Sequence, residues 1–226
     1  MTEAFTVRTL PANDNVNCAS YCCLIDQRPL IVREGKMIAY FGQLKFERLG
    51  AGPLGGLVRE AFNAPNLMGA YIAAQGRGKL IIADRGLELT AFDVADDQLI
   101  VRAAHLVAFE PTLFLQQSFV PGYVQLQGTG RFVLSSSGPA FTLAAPCRVD
   151  EQALLGWMGV PAPNYRYDWG ARQPKAKGAV QAGMQVAKAL AGLTRSGEEQ
   201  QVEFVGEGTV FIQSSERASG AIRPLA

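Results

Sequence analysis

The sequence predicts an all-β protein, a β-sandwich carrying one inserted α-helix near its C-terminal third. Three observations predict it. The 226 residues include 24 Gly and 12 Pro but only 18% charged residues, a balance that suits many short strands joined by turns better than a helical bundle. Apolar runs recur at about 8–12-residue spacing between turn signals, as in sandwiches and barrels. Finally, one pattern occurs three times: Tyr71 to Ile82 around Gly76 and Gly78, Val124 to Leu134 around Gly128 and Gly130, and Val202 to Ile212 around Gly206 and Gly208. Each copy reads as a short strand, a Gly-x-Gly corner and a second short strand. The first glycines of the copies, Gly76, Gly128 and Gly206, lie 52 and 78 residues apart, so they are one substructure reused, with an insertion before the last, and not a solenoid of fixed period.

Taken in order, residues 5–10 alternate as a strand, and residues 30–42 read as strand, turn, strand. Residues 50–66 are Gly/Pro-rich with a short helix expected around residues 57–62. After the first Gly-x-Gly copy, residues 86–92 and 99–109 form a strand pair separated by the acidic turn Asp96-Asp97. Ser135-Ser136-Ser137-Gly138 reads as a turn after the second copy, and residues 141–145 as a further strand. The insertion spans residues 156–197: an aromatic, Pro-rich loop over 160–169, then a helix over 175–193 with Val180, Ala187, Leu190 and Ala191 at helical spacing. Glycine tolerates positive φ and close backbone approach, so Gly-x-Gly suits a bulge or corner between strands. A dinucleotide fingerprint would need a helix straight after the glycines, and apolar strand residues follow instead.

Function classes narrow quickly. A single His cannot assemble the two or three imidazoles of a cupin-type or His-rich zinc site. A Ser-His-Asp triad would have to use His105, which alternation places on one strand face with Val101, Ala103, Val107 and Phe109. That pattern favours a sheet histidine hydrogen-bonded at a core edge. Ser135 lacks the Gly-x-Ser-x-Gly elbow. Asp93, Asp96 and Asp97 miss the calcium-loop spacing and read as a solvated hairpin turn. Cys18, Cys22, Cys23 and Cys147 lack metal-site spacing and read as packed, reduced thiols. Twenty-one basic against 20 acidic residues give +1, too little for nucleic-acid binding by the whole surface. Residues 1–8 show no signal-peptide pattern and no run approaches a membrane span, so a cytoplasmic protein is expected. No catalytic, cofactor or metal residue is expected.

With those residues in place, the chain resembles the altered-inheritance-of-mitochondria family, member twenty-four, whose fold is like that of the tryptophan RNA-binding attenuation protein. The resemblance rests on Gly35-Lys-Met-Ile-Ala-Tyr-Phe-Gly42, the three Gly-x-Gly copies and the ending Gly206-Glu-Gly-Thr-Val-Phe-Ile-Gln-Ser214, and spans about residues 30–214. It implies a single pseudo-duplicated sandwich over residues 1–226, of the double-stranded β-helix type, made of two similar halves. It also implies a self-associating, non-catalytic scaffold or binding module, a trimer or larger, supporting membrane and respiratory-complex organisation in mitochondria. RNA binding by fold analogy is the alternative. The insertion supplies the candidate interaction segment: Tyr165, Tyr167, Trp169, Arg172, Lys175, Lys177 and Lys188, with no acidic residue from Gly170 to Gly197. Aromatic and basic side chains together suit a protein interface. The few large apolar anchors suit at most a weak, peripheral hold on an anionic membrane.

Overall fold

The computed structural model describes residues 6–49, 62–63, 69–159, 164–167 and 200–215, with the backbone alone for 62–63, 164–167 and 200. In chain order the strands are β1 (Asp14–Asn17), β2 (Ser20–Asp26), β3 (Leu30–Arg33), β4 (Met37–Arg48), β5 (Phe62–Asn63), β6 (Tyr71–Ala83), β7 (Glu88–Arg102) and β8 (Leu106–Phe109). They continue with β9 (Leu113–Gln117), β10 (Tyr123–Ser136), β11 (Ala140–Ala144), β12 (Cys147–Asp150), β13 (Leu154–Met158), β14 (Asn164–Tyr167), β15 (Gln200–Phe204) and β16 (Thr209–Gln213). The only helical element among the described residues is a 3-10 turn, Ala103–His105. The helix expected over 175–193 and most of the short one at 57–62 lie outside the described residues.

One sheet runs β1-β2-β6-β3-β8-β10-β7-β13-β16-β11, with β4 on the far edge of β6, β9 on β10, and β5 parallel to β9. A second sheet, β12-β15-β14, is separate. The long strands explain how so many strands share one sheet. On one edge β6 carries β3 along residues 71–74 and then β2 along residues 77–83. Similarly β10 carries β9 along residues 124–128 and β8 along 132–134. The change of partner falls at the Gly-x-Gly in both.

That alters the sequence reading. The first two copies are each one continuous bent strand, of 13 and 14 residues, and not two short strands. The third copy does separate two strands: Gly206 (φ +100°) and Gly208 (φ +147°) lie where the chain leaves β15 in the small sheet for β16 in the large one. The hairpin expected at Asp96-Asp97 is also absent, because β7 runs unbroken from Glu88 to Arg102. Asp96 takes φ +52° there, and the β7–β10 register skips from Asp97↔Gly128 to Val94↔Gly130. Two strands bend together at one bulge, whose signature in sequence is the same as that of a turn. Residues 6–10 form a turn where alternation suggested a strand. Thr6 and Thr9 exchange side-chain and backbone hydrogen bonds (Thr6 N–H to Thr9 Oγ1, 2.7 Å), which compete with strand pairing, and Leu10 is buried beside them.

The middle of the large sheet is buried on both faces. On β8 Leu106 and Phe109 join one apolar cluster while Val107 and Ala108 join another; on β10 Phe132 and Leu134 face the first and Val133 the second. This is why residues 106–109 read as an unbroken apolar run and not as an alternating one. A third cluster, with Trp157, Tyr123, Phe204, Val202 and Val210, joins the small sheet to β13 and β16. Trp157 stands 5.1 Å from Tyr123 and 5.5 Å from Phe204, ring centre to ring centre.

Candidate functional site

Two groupings of polar side chains stand out among the described residues. The first is internal. Lys36, in the turn from β3 to β4, pairs with Asp84, in the turn from β6 to β7, through Nζ and Oδ1. The other carboxylate oxygen of Asp84 accepts a hydrogen bond from Ser135 Oγ at 2.7 Å. Ser135 lies on the last turn of pleat of β10 and is fully buried, and its carbonyl faces His105 Nδ1 at 2.6 Å. A carbonyl can only accept, so Nδ1 carries the proton. Burial pushes the Asp84 carboxyl up, but the hydrogen bonds from Lys36 and Ser135 outweigh it and hold it below the usual carboxylate value.

A Ser, a His and an Asp therefore meet in the core, in the wrong order for acyl transfer. A triad places the imidazole on the serine hydroxyl and the carboxylate on the imidazole. Here the hydroxyl goes straight to the carboxylate, and the imidazole meets the serine's backbone. The grouping joins four chain segments, the β3–β4 turn, the β6–β7 turn, the 3-10 turn before β8, and β10, and its chemistry is that of a structural clasp. His105 is hydrogen-bonded and buried, but in the 3-10 turn and not on a strand, because β7 ends at Arg102. Ser135 and Ser136 are buried strand residues, not turn residues; the chain turns only after them.

The second grouping lies at the surface, where β7 and β10 bend. Arg131 binds Asp93 through both arms of its fork, Nε to Oδ1 at 2.9 Å and Nη2 to Oδ2 at 3.1 Å. The pair holds the Asp93 carboxyl low and the Arg131 guanidinium high. A shallow cleft opens on each side of it. One, of about 330 Å³, is lined by Asn13, Asp14, Asn15, Tyr21 and Thr90. The other, of about 450 Å³, includes Glu110 and Thr129. Tyr21 is 3% exposed. Its hydroxyl lies beside Arg131 but outside hydrogen-bonding geometry, and burial raises its pKa. Both clefts are open, and the first is mainly polar, unlike the enclosed apolar pockets of most small-molecule sites.

Of the six glycines, Gly76 and Gly78 lie within β6, Gly128 and Gly130 within β10, and Gly206 and Gly208 between β15 and β16. A Cβ on Gly76 would overlap the carbonyl oxygen of Gln43, and one on Gly78 that of Phe41, so β4 crosses these positions too closely for any side chain. Gly130 similarly faces Thr112 Oγ1 at 2.6 Å and Glu110 Oε2 at 3.0 Å from an added Cβ. Tyr165 and Tyr167, expected in a loop, sit on β14, paired to Val202 and Gln200 of β15. The β-strand partner, invisible in the local sequence, decides this. Trp169, Arg172, Lys175, Lys177 and Lys188 lie outside the described residues. Residues 156–158, read as the start of the insertion, belong to β13, and Trp157 is buried. Among the described residues no three His, Cys, Asp or Glu side chains group closely enough to hold a metal ion. The four thiols are free, with Cys18 exposed and Cys22 and Cys23 buried. No helix among the described residues is long and apolar enough to cross a membrane. Sequence reasoning missed the clasp. Its signal was a Ser-Ser pair ending an apolar strand, which by itself reads as a turn.

Comparison with known proteins follows this geometry. The family described as mitochondrial biogenesis AIM24 matches residues 21–215. No curated protein matches the sequence. Among solved structures, a crystal structure of a Streptococcus pyogenes protein resembles the chain with a TM-score of 0.58 at 15% identity, covering 90% of this chain and 92% of that one. At that identity the likeness is one of fold alone.

Proposed function

We propose a function from one premise: this chain belongs to the mitochondrial biogenesis AIM24 family. Its role is accordingly related to mitochondrial biogenesis. Within that role we read it as a non-catalytic, self-associating β-module that acts as a scaffold or binding module, in the cytoplasm or held peripherally at a membrane. The observation that carries this is the fate of its reactive side chains. Both oxygens of Asp84 are occupied by Lys36 and Ser135, and Ser135 spends its hydroxyl and its carbonyl inside the same clasp. The serine, histidine and aspartate that meet in the core are thus spent on holding strands together. The basic stretch from Arg172 to Arg195 supports a protein partner, or a weak hold on anionic lipid, as the second contact.

Sedimentation velocity on the full chain tests the reading. Assemblies larger than one chain at micromolar concentration are expected. A monomer at every concentration would refute self-association.

A further inference from the structure

We propose that the cleft between β1 and β7, floored by Tyr21, binds an uncharged, hydroxyl-rich molecule about the size of a single sugar ring. The inference goes beyond the self-association reading and stands or falls without it. It starts from the Tyr21 hydroxyl. The ring belongs to an apolar cluster and the residue is 3% exposed, yet the hydroxyl has no hydrogen-bond partner in the protein. Buried polar groups of native proteins are almost always paired, so the exception points to a partner from outside the chain. Tyr21 lines the cleft of about 330 Å³, and the charges of Arg131 and Asp14, two more of its residues, act on the hydroxyl.

The walls are held in place before any ligand arrives. Asn15, directly across from Tyr21 on β1, donates from Nδ2 to the Leu89 carbonyl of β7 at 2.8 Å. Asn13 Oδ1 accepts the Leu24 N–H at 2.9 Å. The groups left over are donors and acceptors together. Leu89 turns its N–H away from β10, to the Cys18 carbonyl at 2.8 Å. Alternation along β7 turns the Ala91 N–H and carbonyl to the same side, where neither is paired among the described residues. Asn13 and Asp14 keep an amide nitrogen and a carboxylate oxygen uncommitted. An ammonium only donates and a carboxylate only accepts, whereas each hydroxyl does both and can serve all of these at once. Charge agrees. Asp14 and Asp93 outnumber Arg131 in the lining, and the Arg131 fork is taken up by Asp93, so an anion is repelled. An apolar ligand would leave the Tyr21 hydroxyl and the β7 edge unpaired.

Saturation-transfer NMR and titration of the full chain with glucose, galactose, mannose and N-acetylglucosamine test the proposal, with glucuronate as the charged control. At least one neutral sugar is expected to bind with a millimolar dissociation constant, and glucuronate more weakly than any that binds. Tyr21→Phe should raise the sugar's dissociation constant about fivefold or more. Its unfolding temperature without sugar should match the wild type, because the hydroxyl it removes bonds to nothing in the fold. No binding at tens of millimolar, binding that Tyr21→Phe leaves unchanged, or glucuronate held as tightly as the sugar would overturn the proposal. A lowered unfolding temperature in Tyr21→Phe overturns it too, since the hydroxyl would then have a partner within the fold. None of these results depends on whether the chain sediments as a monomer or an assembly.

Discussion

Alanine at Gly76, Gly78 and Gly35 separates the two reasons a corner requires glycine. Gly35 has φ +79° with open space where a Cβ would go. Its alanine variant meets only the left-handed penalty, about 1–2 kcal/mol, partly offset by about 0.4–1 kcal/mol from a less flexible unfolded chain. The net loss is about 1 kcal/mol. Gly78 has ordinary φ, but its Cβ would overlap the Phe41 carbonyl and press the Leu44 side chain at 3.2 Å. A backbone carbonyl cannot rotate aside, so overpacking costs about 1–3 kcal/mol or more. Gly76 combines φ +129° with overlap of the Gln43 carbonyl, and its variant should lose roughly 2–5 kcal/mol, a large part of the roughly 5–15 kcal/mol that holds a typical protein folded. Urea unfolding reads this directly. With a slope of about 3 kcal/mol per molar, the midpoint should fall by about 0.3 M for Gly35→Ala and by about 1 M or more for Gly76→Ala. Equal midpoints for all three variants, at unchanged slope, would refute the close approach of β4 as the reason for the Gly-x-Gly.

Other consequences follow from the two polar groupings and the thiols. Removing Asp84 alone leaves Lys36, nearly buried, without its counter-charge, so Asp84→Ala should cost about 3–5 kcal/mol in urea unfolding, with Lys36→Met/Asp84→Leu recovering most of it. The folded Asp84 carboxyl is held below its unfolded value, so its stabilisation is present at neutral pH and is lost as pH falls below about 4 through the folded pKa. Unfolding measured from pH 7 to pH 3 should then steepen less in Asp84→Asn than in the wild type. By contrast Asp93→Asn should cost under about 1 kcal/mol, since the Arg131 pair stands largely in solvent, and a greater loss would give that pair a structural part it is not assigned. Alkylation of the native protein, followed by mass spectrometry, should label Cys18 first. Cys22 and Cys23 are buried with thiol pKa values raised by burial, and they should react only as the fold opens.

Much of the fold is legible in local pattern. Residues 30–42 fold as strand, turn, strand, with Gly35 at φ +79° in the turn, because turn chemistry acts over a few residues. The unbroken run 106–109 becomes a strand buried on both faces. Pattern misleads where an interaction from far along the chain decides. Asp96-Asp97 carries a turn's composition, but Gly128 and Gly130 of a strand thirty residues away accept it as a bulge. Tyr165 and Tyr167 carry a loop's neighbours, but β15 offers a free edge to pair with. Ser135 has a turn's sequence context and ends as the buried partner of Asp84, fifty-one residues away.

The sequence by itself determined the β class, the corners at six glycines and membership of a family, since each follows from residue type and spacing along the chain. Only the tertiary structure decided that two of those corners lie inside single strands and that Lys36, Asp84, Ser135 and His105 form one clasp. These are properties of which strand lies beside which. A strand's neighbours are chosen by the burial of whole faces and the pairing of backbone groups across the sheet, and neither leaves a mark in the residues on either side of it.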